Sequence, residues 1–226
     1  MLDFLSDIWY NIVTARGKQR PPRRQPVVAP EREVKTMQTT QKYTSAATSI
    51  NASKLPAIYN KLTDSAYLWA SSYLDFGCGR YTQHIADHVA TKAYEVAQKS
   101  REHRDHMGIW HGYDAYNRTE EENEFELEAF REESEFFNQM VVCSNVLNVI
   151  DSEEVIAWIA ARLMTWADAG AAVMVTVYEG DQTGIGRVTK ADCYQRNEKI
   201  VSYLKYFDKN FTIKKGVITN RPEFVK

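Results

Sequence analysis

The stretch that most constrains this chain is Tyr73-Leu74-Asp75-Phe76-Gly77-Cys78-Gly79-Arg80. A short run of strand-forming residues ends on an acid. Two glycines follow, one residue apart, and a long helical pattern then begins. Glycine lets the backbone turn sharply and approach a ligand with no Cβ in the way. The helix behind the turn offers its N-terminus to a polar or anionic group. This is the layout of a nucleotide-binding strand–loop–helix unit.

The spacing narrows the cofactor. A dinucleotide fingerprint requires G-x-G-x-x-G, and Thr82 stands where its third glycine would be. A P-loop ends in G-K-[ST], which this loop lacks. What remains is D-x-G-x-G, and on it the chain resembles the class I S-adenosylmethionine-dependent methyltransferases. The resemblance implies an α/β, Rossmann-like sandwich with a mainly parallel central sheet. It also implies S-adenosyl-L-methionine as cofactor.

The chain has 226 residues, 44% of them hydrophobic, enough for one α/β domain with an extension. The formal net charge of -2 implies no strong nucleic-acid field overall. Cys78, Cys143 and Cys193 are scattered and form no C-x-x-C pair, as in a reducing compartment. No apolar run is long enough to span a bilayer. Met1-Leu2-Asp3-Phe4-Leu5 lacks the basic start of a secretory signal, so a cytoplasmic location is expected.

Residues 1–42 read as an N-terminal extension. Leu2, Leu5, Ile8, Trp9 and Ile12 fall at helical spacing, and a basic Pro-rich linker follows with Lys18, Arg20, Arg23 and Arg24. The linker could touch nucleic-acid phosphates, although a solvated linker is the simpler reading. Met37 is a candidate alternative start. Residues 43–226 then form the expected cofactor-binding domain, with Ser53 a candidate cap for a short helix holding Ile58 and Tyr59.

Ile85, Val89, Ala93 and Val96 give the helix after the glycine loop one apolar face. His84 and His88 share a face but lack an HExxH pattern and a third ligand, so no metal is expected. Ile109 to Tyr113 reads as the second strand, with Asp114 at its end to accept hydrogen bonds from both ribose hydroxyls. The interval from Gly79 to Asp114 exceeds the usual ~20 residues. Tyr116 and Asn117 would flank the adenosine. The acidic run from Glu120 to Glu135 reads as a surface helix or loop, and no third strand is visible.

Met140 to Cys143 is a buried strand that ends in the turn Ser144-Asn145-Val146-Leu147. Amino-methylating enzymes of the resembled class carry D/N-P-P-Y/F there. Asn145 occupies the matching place without the prolines or the aromatic. Cytosine-C5 chemistry needs a Pro-Cys pair, which Cys143 does not make. Asp151 or Ser152 caps a helix with Val155, Trp158, Ile159 and Leu163, which Gly170 ends. Ala172 to Tyr178 is the next strand. A glycine-containing loop with Arg187, Lys190 and Tyr194 follows, and it suits either nucleic-acid contact or a plain cap on the sheet. Ile200, Tyr203, Leu204 and Phe207 suggest a last helix, and Phe211 to Ile218 an edge strand.

A narrower resemblance spans about Thr44 to Phe207. Its segments are TSINASKLP, YDAYNR, SNVLNVI and GIGRVTKADCYQRNE. Together they resemble the methyltransferases associated with DNA phosphorothioation and similar phage-encoded methyltransferases. Ala115 departs from that pattern, which prefers proline. The resemblance implies a phage or mobile-element enzyme that methylates DNA or RNA, with a DNA base first. By this resemblance Asp75, Gly77, Cys78, Gly79, Arg80, Asp114, Ala115 and Asn145 hold the cofactor. Asn145 and Tyr194 serve the transfer, and Arg187 and Lys190 meet the substrate. Methyl transfer to a small molecule or protein stays open, as does a cofactor-binding interaction module without turnover.

Overall fold

The computed structural model describes residues 55–79, 83–100, 108–190 and 193–226. The expected N-terminal extension, the Ser53 cap and Arg80 lie outside them.

Two short helices, α1 (Ala57–Lys61) and α2 (Asp64–Trp69), lead into β1 (Ser72–Phe76). Then come α3 (Gln83–Ser100), β2 (Ile109–Tyr113), α4 (Glu120–Glu133), β3 (Gln139–Ser144), α5 (Glu153–Asp168) and β4 (Ala172–Thr176). A separate hairpin follows, β5 (Arg187–Lys190) with β6 (Cys193–Gln195). The chain ends in β7 (Thr212–Lys214) and β8 (Val217–Thr219). The main sheet has six strands in the order β2-β1-β3-β4-β8-β7. β2, β1, β3 and β4 run parallel, and β8 is antiparallel to both of its neighbours. The protein is thus α/β with a mixed, mostly parallel sheet, compatible with a Rossmann-like fold.

The strand patterns explain the layering. Every residue of β1 and β4 is buried, as expected for strands covered on both faces. Alternate side chains then divide between two cores. Leu74, Val141, Cys143, Val173 and Val175 pack with Leu127 and Phe130 of α4 and Ile156, Ile159 and Leu163 of α5. Tyr73, Met140, Val142 and Met174 pack with Ile58 of α1, Tyr67 of α2, and Ile85 and Val89 of α3. Local signals set the helix ends. Ser152 accepts a hydrogen bond from Val155 N, and Gly170 turns the chain out of α5 at φ 103°. Thr119 and Glu122 close a capping box on α4.

Two expectations need correction. The segment read as one edge strand, Phe211 to Ile218, is a hairpin. Lys215 and Gly216 both have positive φ, the demand of a two-residue type I′ turn. β8 enters the sheet beside β4, with Val217, Ile218 and Thr219 fully buried, and β7 takes the edge. The last expected helix is a 3-10 helix, Ile200–Tyr206. Among the described residues no strand lies between β2 and β3, and α4 fills that interval. No helix among the described residues is long and apolar enough to cross a membrane.

Candidate functional site

The carboxyl ends of β1, β2, β3 and β4 form one rim. Strand order reverses between β1 and β3, because β2 lies on one side of β1 and β3 on the other. In open α/β sheets the crevice at such a switch point is where ligands bind. Two turns meet above it. Gly77 and Cys78 both donate to Tyr113 O, at 2.7 and 3.1 Å, which ties the glycine turn to the end of β2. Gly77 has φ 90°, and a Cβ on it would strike Cγ2 of Val146 in the turn after β3. Only glycine satisfies both the dihedral and the space. Gly79, at φ 74°, has nothing within 4 Å of the place a Cβ would take, so open space borders the loop there.

Asp114 sits just past β2 and is 5% exposed. Its Oδ1 accepts from Tyr116 N (2.9 Å), Asn117 N (2.8 Å) and Asn117 Nδ2 (2.9 Å). Its Oδ2 accepts from Gly79 N at 2.8 Å. Asn123 of α4 clamps the backbone of the same residue, accepting from Asp114 N and donating to Asp114 O, both at 3.0 Å. A carboxylate has about four acceptor positions, two on each oxygen. Among the described residues, three N–H donors reach Oδ1 and one reaches Oδ2.

Asp75 is different. It is 2% exposed and takes the Tyr59 hydroxyl on Oδ2 at 2.9 Å. Burial pushes its carboxyl up to about 7. The Tyr59 hydrogen bond works the other way, and the Asp114 charge adds to the rise. The Cys78 thiol beside the loop is also buried, and desolvation raises it strongly. Ala115 and Tyr116, just past Asp114, are exposed.

On the other half of the rim, Asn145 is exposed and held at φ 59°, a region asparagine tolerates better than most residues. Its N–H donates to Thr176 O at 2.9 Å, and Ser144 Oγ meets Thr176 Oγ1 at 3.1 Å. The β5–β6 hairpin is bolted to this half by buried amides. Asn148 Nδ2 donates to Gln195 Oε1 at 3.1 Å, and Arg196 N donates to Asn148 O at 2.9 Å. The Arg196 guanidinium donates to Ile150 O, Asp151 O, Glu153 and Glu198. The segments SNVLNVI and CYQRNE are therefore one structural unit.

The hairpin carries the remaining expected residues. Arg187 is exposed and pairs with Asp181 at 3.8 Å. Lys190 lies on β5 opposite Cys193. Tyr194 is half-buried, and its hydroxyl covers Gly186, where any side chain would collide with it. The structure thus ties Gly77 and Cys78 to Tyr113 O and Gly79 to Asp114 by hydrogen bonds, and brings the Asn145 turn against Gly77. It gives Tyr194 a packing task within the hairpin.

Sequence reasoning missed Tyr59, Asn123, Asn148, Gln195 and Arg196 as parts of the rim. A helix asparagine within a charged run and an asparagine within a buried turn were the available signals, and neither names its partner. Among the described residues no group of three His, Cys, Asp or Glu could hold a metal ion. His88 instead meets the Tyr67 hydroxyl at 3.3 Å.

One ionic cluster braces the edge of the sheet. His111 of β2 lies between Glu126 (2.9 Å) and Glu133 (3.0 Å) of α4. Burial opposes its positive charge, but the hydrogen bonds and charges of both glutamates prevail and raise it to about 9.

Compared with family models, curated proteins and solved structures, the chain matches none.

Proposed function

We propose that this chain is a class I S-adenosylmethionine-dependent methyltransferase acting on nucleic acid, with a DNA base as the acceptor. The observation that carries the reading is the glycine turn at the switch point, linked through Gly79 N to Asp114 at the end of the neighbouring strand. The antiparallel β8–β7 pair that extends four parallel strands supports the same class of fold. The residues fit the cofactor. Gly79 borders open space, Oδ2 of Asp114 has a single donor among the described residues, and Gly77 adds no side chain to the turn. The Gly77–Gly79 backbone would line the methionyl part, with Asp114 taking a ribose hydroxyl. Bound there, the cofactor supplies an electrophilic methyl group.

Asn145 is exposed just past the end of β3, and in this reading it would accept an N–H from an exocyclic amine of the acceptor. Transfer by in-line displacement gains chiefly from alignment and proximity, so a strong base at the rim is not required. A second reading, methyl transfer to a small molecule or protein, is favoured by the formal net charge of -2 and by the acidic α4.

Calorimetric titration with S-adenosylhomocysteine tests the cofactor. The native chain binds saturably, and Asp114→Ala weakens binding about 10- to 100-fold, as for the loss of a charge-assisted hydrogen bond. A folded native chain that does not bind sinks the reading. Labelled-methyl transfer into DNA, RNA and cell extract then separates the acceptors.

A further inference from the structure

We infer that Arg162 and Arg131 form a binding site for a phosphate group where α5 packs beside α4; this site stands apart from the methyltransferase reading above. Trp158, Arg162 and Trp166 are four apart on α5 and so share one face of the helix. All three are half-buried. The Arg162 guanidinium lies 5.8 Å from the Trp158 ring centroid and 5.5 Å from that of Trp166. Indole rings answer the faces of a guanidinium, but they take none of the N–H bonds along its edge. Among the described residues those N–H groups meet no acceptor. Arg162 Nε is buried without a hydrogen-bond partner, and no carboxylate lies within ion-pair reach. Two glutamates of α4 are drawn elsewhere, Glu126 and Glu133 to His111, and Glu126 also to Arg118.

Ring contacts lead from Arg162 to two further groups. Trp166 meets Phe130 edge-on at 6.1 Å, and Arg131 follows Phe130 on α4. Trp166 also meets Phe76 at 5.9 Å, and Phe76 stacks on Tyr113 at 4.5 Å. Arg131 is exposed and, among the described residues, has no carboxylate partner either. The Tyr113 ring is half-buried, and its hydroxyl bonds to no group among the described residues. Burial lowers the Arg162 guanidinium, the Tyr113 phenol raises it, and the Arg131 charge lowers it again. The three polar groups thus share one neighbourhood.

A half-buried cation without a counterion is unfavourable, and a second cation beside it adds repulsion. A bound anion relieves both. The chemistry of the donors selects which anion. Two rings hold the guanidinium plane, so its fork of N–H groups is fixed before a ligand arrives. That fork matches two oxygens of a phosphate, whereas chloride offers it a single point. The remaining phosphate oxygens can take Arg131 and the Tyr113 hydroxyl, and the double negative charge of a phosphate suits two arginines. A phosphomonoester and a nucleic-acid backbone both present this group, and the test separates them.

The test titrates the full chain with inorganic phosphate at an ionic strength held constant with chloride. It follows the NMR signals of Arg162 Nε–H and of the Trp158 and Trp166 indole N–H groups. A saturable shift of all three is expected. Arg162→Lys keeps the charge but loses the fork, and should weaken the indole response about 10- to 100-fold. Arg131→Gln changes an exposed side chain, so the fold is kept, and it should weaken binding about 2- to 5-fold. Displacement of phosphate by methyl phosphate names a phosphomonoester as the ligand. Displacement by a single-stranded oligonucleotide without terminal phosphates names a nucleic-acid backbone. No shift, a shift that chloride alone reproduces, or native-like affinity in Arg131→Gln overturns the inference. So does displacement by S-adenosylhomocysteine, which carries no phosphate and would make Arg162 part of the cofactor crevice.

Discussion

Asp75 and Asp114 stand at the ends of neighbouring parallel strands, yet they are opposites. Asp75 lies inside β1, paired in register with Gly112, and its side chain enters the core facing α1 and α3. It meets the Tyr59 hydroxyl there. Asp114 lies one residue past β2, where four N–H groups converge on it. A carboxylate is stabilised by the donors it finds and penalised by the water it loses. Asp75 loses its water for one neutral donor, and burial holds it up to about 7. Asp114 exchanges water for three backbone amides and the Asn117 side-chain amide. The difference teaches that a carboxyl just past a strand finds backbone N–H groups to accept, whereas inside the strand those groups are spent on the ladder. It also divides the labour, since Asp114 latches the glycine turn while Asp75 stays beneath it as a buried, titrating group.

The strongest way to break this comparison is to remove the amide-bound acid. Asp114→Ala releases Gly79 and leaves the Tyr116 and Asn117 amides without their acceptor. Chemical denaturation should show a loss on the order of 5 kcal/mol, beside the weakened S-adenosylhomocysteine binding. A loss under about 1 kcal/mol would mean the latch is incidental.

Next is the buried acid. Its folded pKa is raised above the unfolded value, so its stabilising contribution is full below about pH 4 and is lost as pH rises through about 7. Native stability relative to Asp75→Asn should therefore fall by on the order of 4 kcal/mol across that window, an upper figure for so buried a group. Parallel stability–pH curves for the two proteins would refute the assignment.

His111 offers a third case, a buried charge with two charged partners. Its raised pKa makes the contribution full below about 6.5 and lost as pH rises through about 9. Compared with His111→Gln, the native chain should lose on the order of 3 kcal/mol between those limits. An NMR titration of the imidazole with a midpoint near 6.5 would contradict the clamp.

The smallest effect sharpens the comparison at its source. Tyr59→Phe removes the single donor from Asp75, costs about 1 kcal/mol at neutral pH, and moves the Asp75 midpoint further up. A midpoint that stays or falls would show that Tyr59 does not support the ionised carboxylate.

The sequence by itself determined the elements and the position of the glycine turn. β1, β2, β3, β4 and helices α3 and α5 follow from local pattern, because strand alternation, helical periodicity and capping residues act within a few positions of one another. Gly77, Gly79 and Asp114 were legible for the same reason, as a turn and a strand end. What only the tertiary structure decided are contacts between residues far apart in the chain. The Tyr59 hydroxyl reaches Asp75 across 16 positions, and Asn148 meets Gln195 across 47. No local pattern encodes which buried amide satisfies which. The placement of β8 inside the sheet is of the same kind. Lys215-Gly216 marks a turn, but whether β7 or β8 pairs with β4 depends on which strand can bury both faces. Long-range satisfaction of polar groups and two-sided burial are properties of the packed molecule. They turn a legible list of rim residues into one half latched by Asp114 and another tied to the β5–β6 hairpin by Asn148 and Gln195.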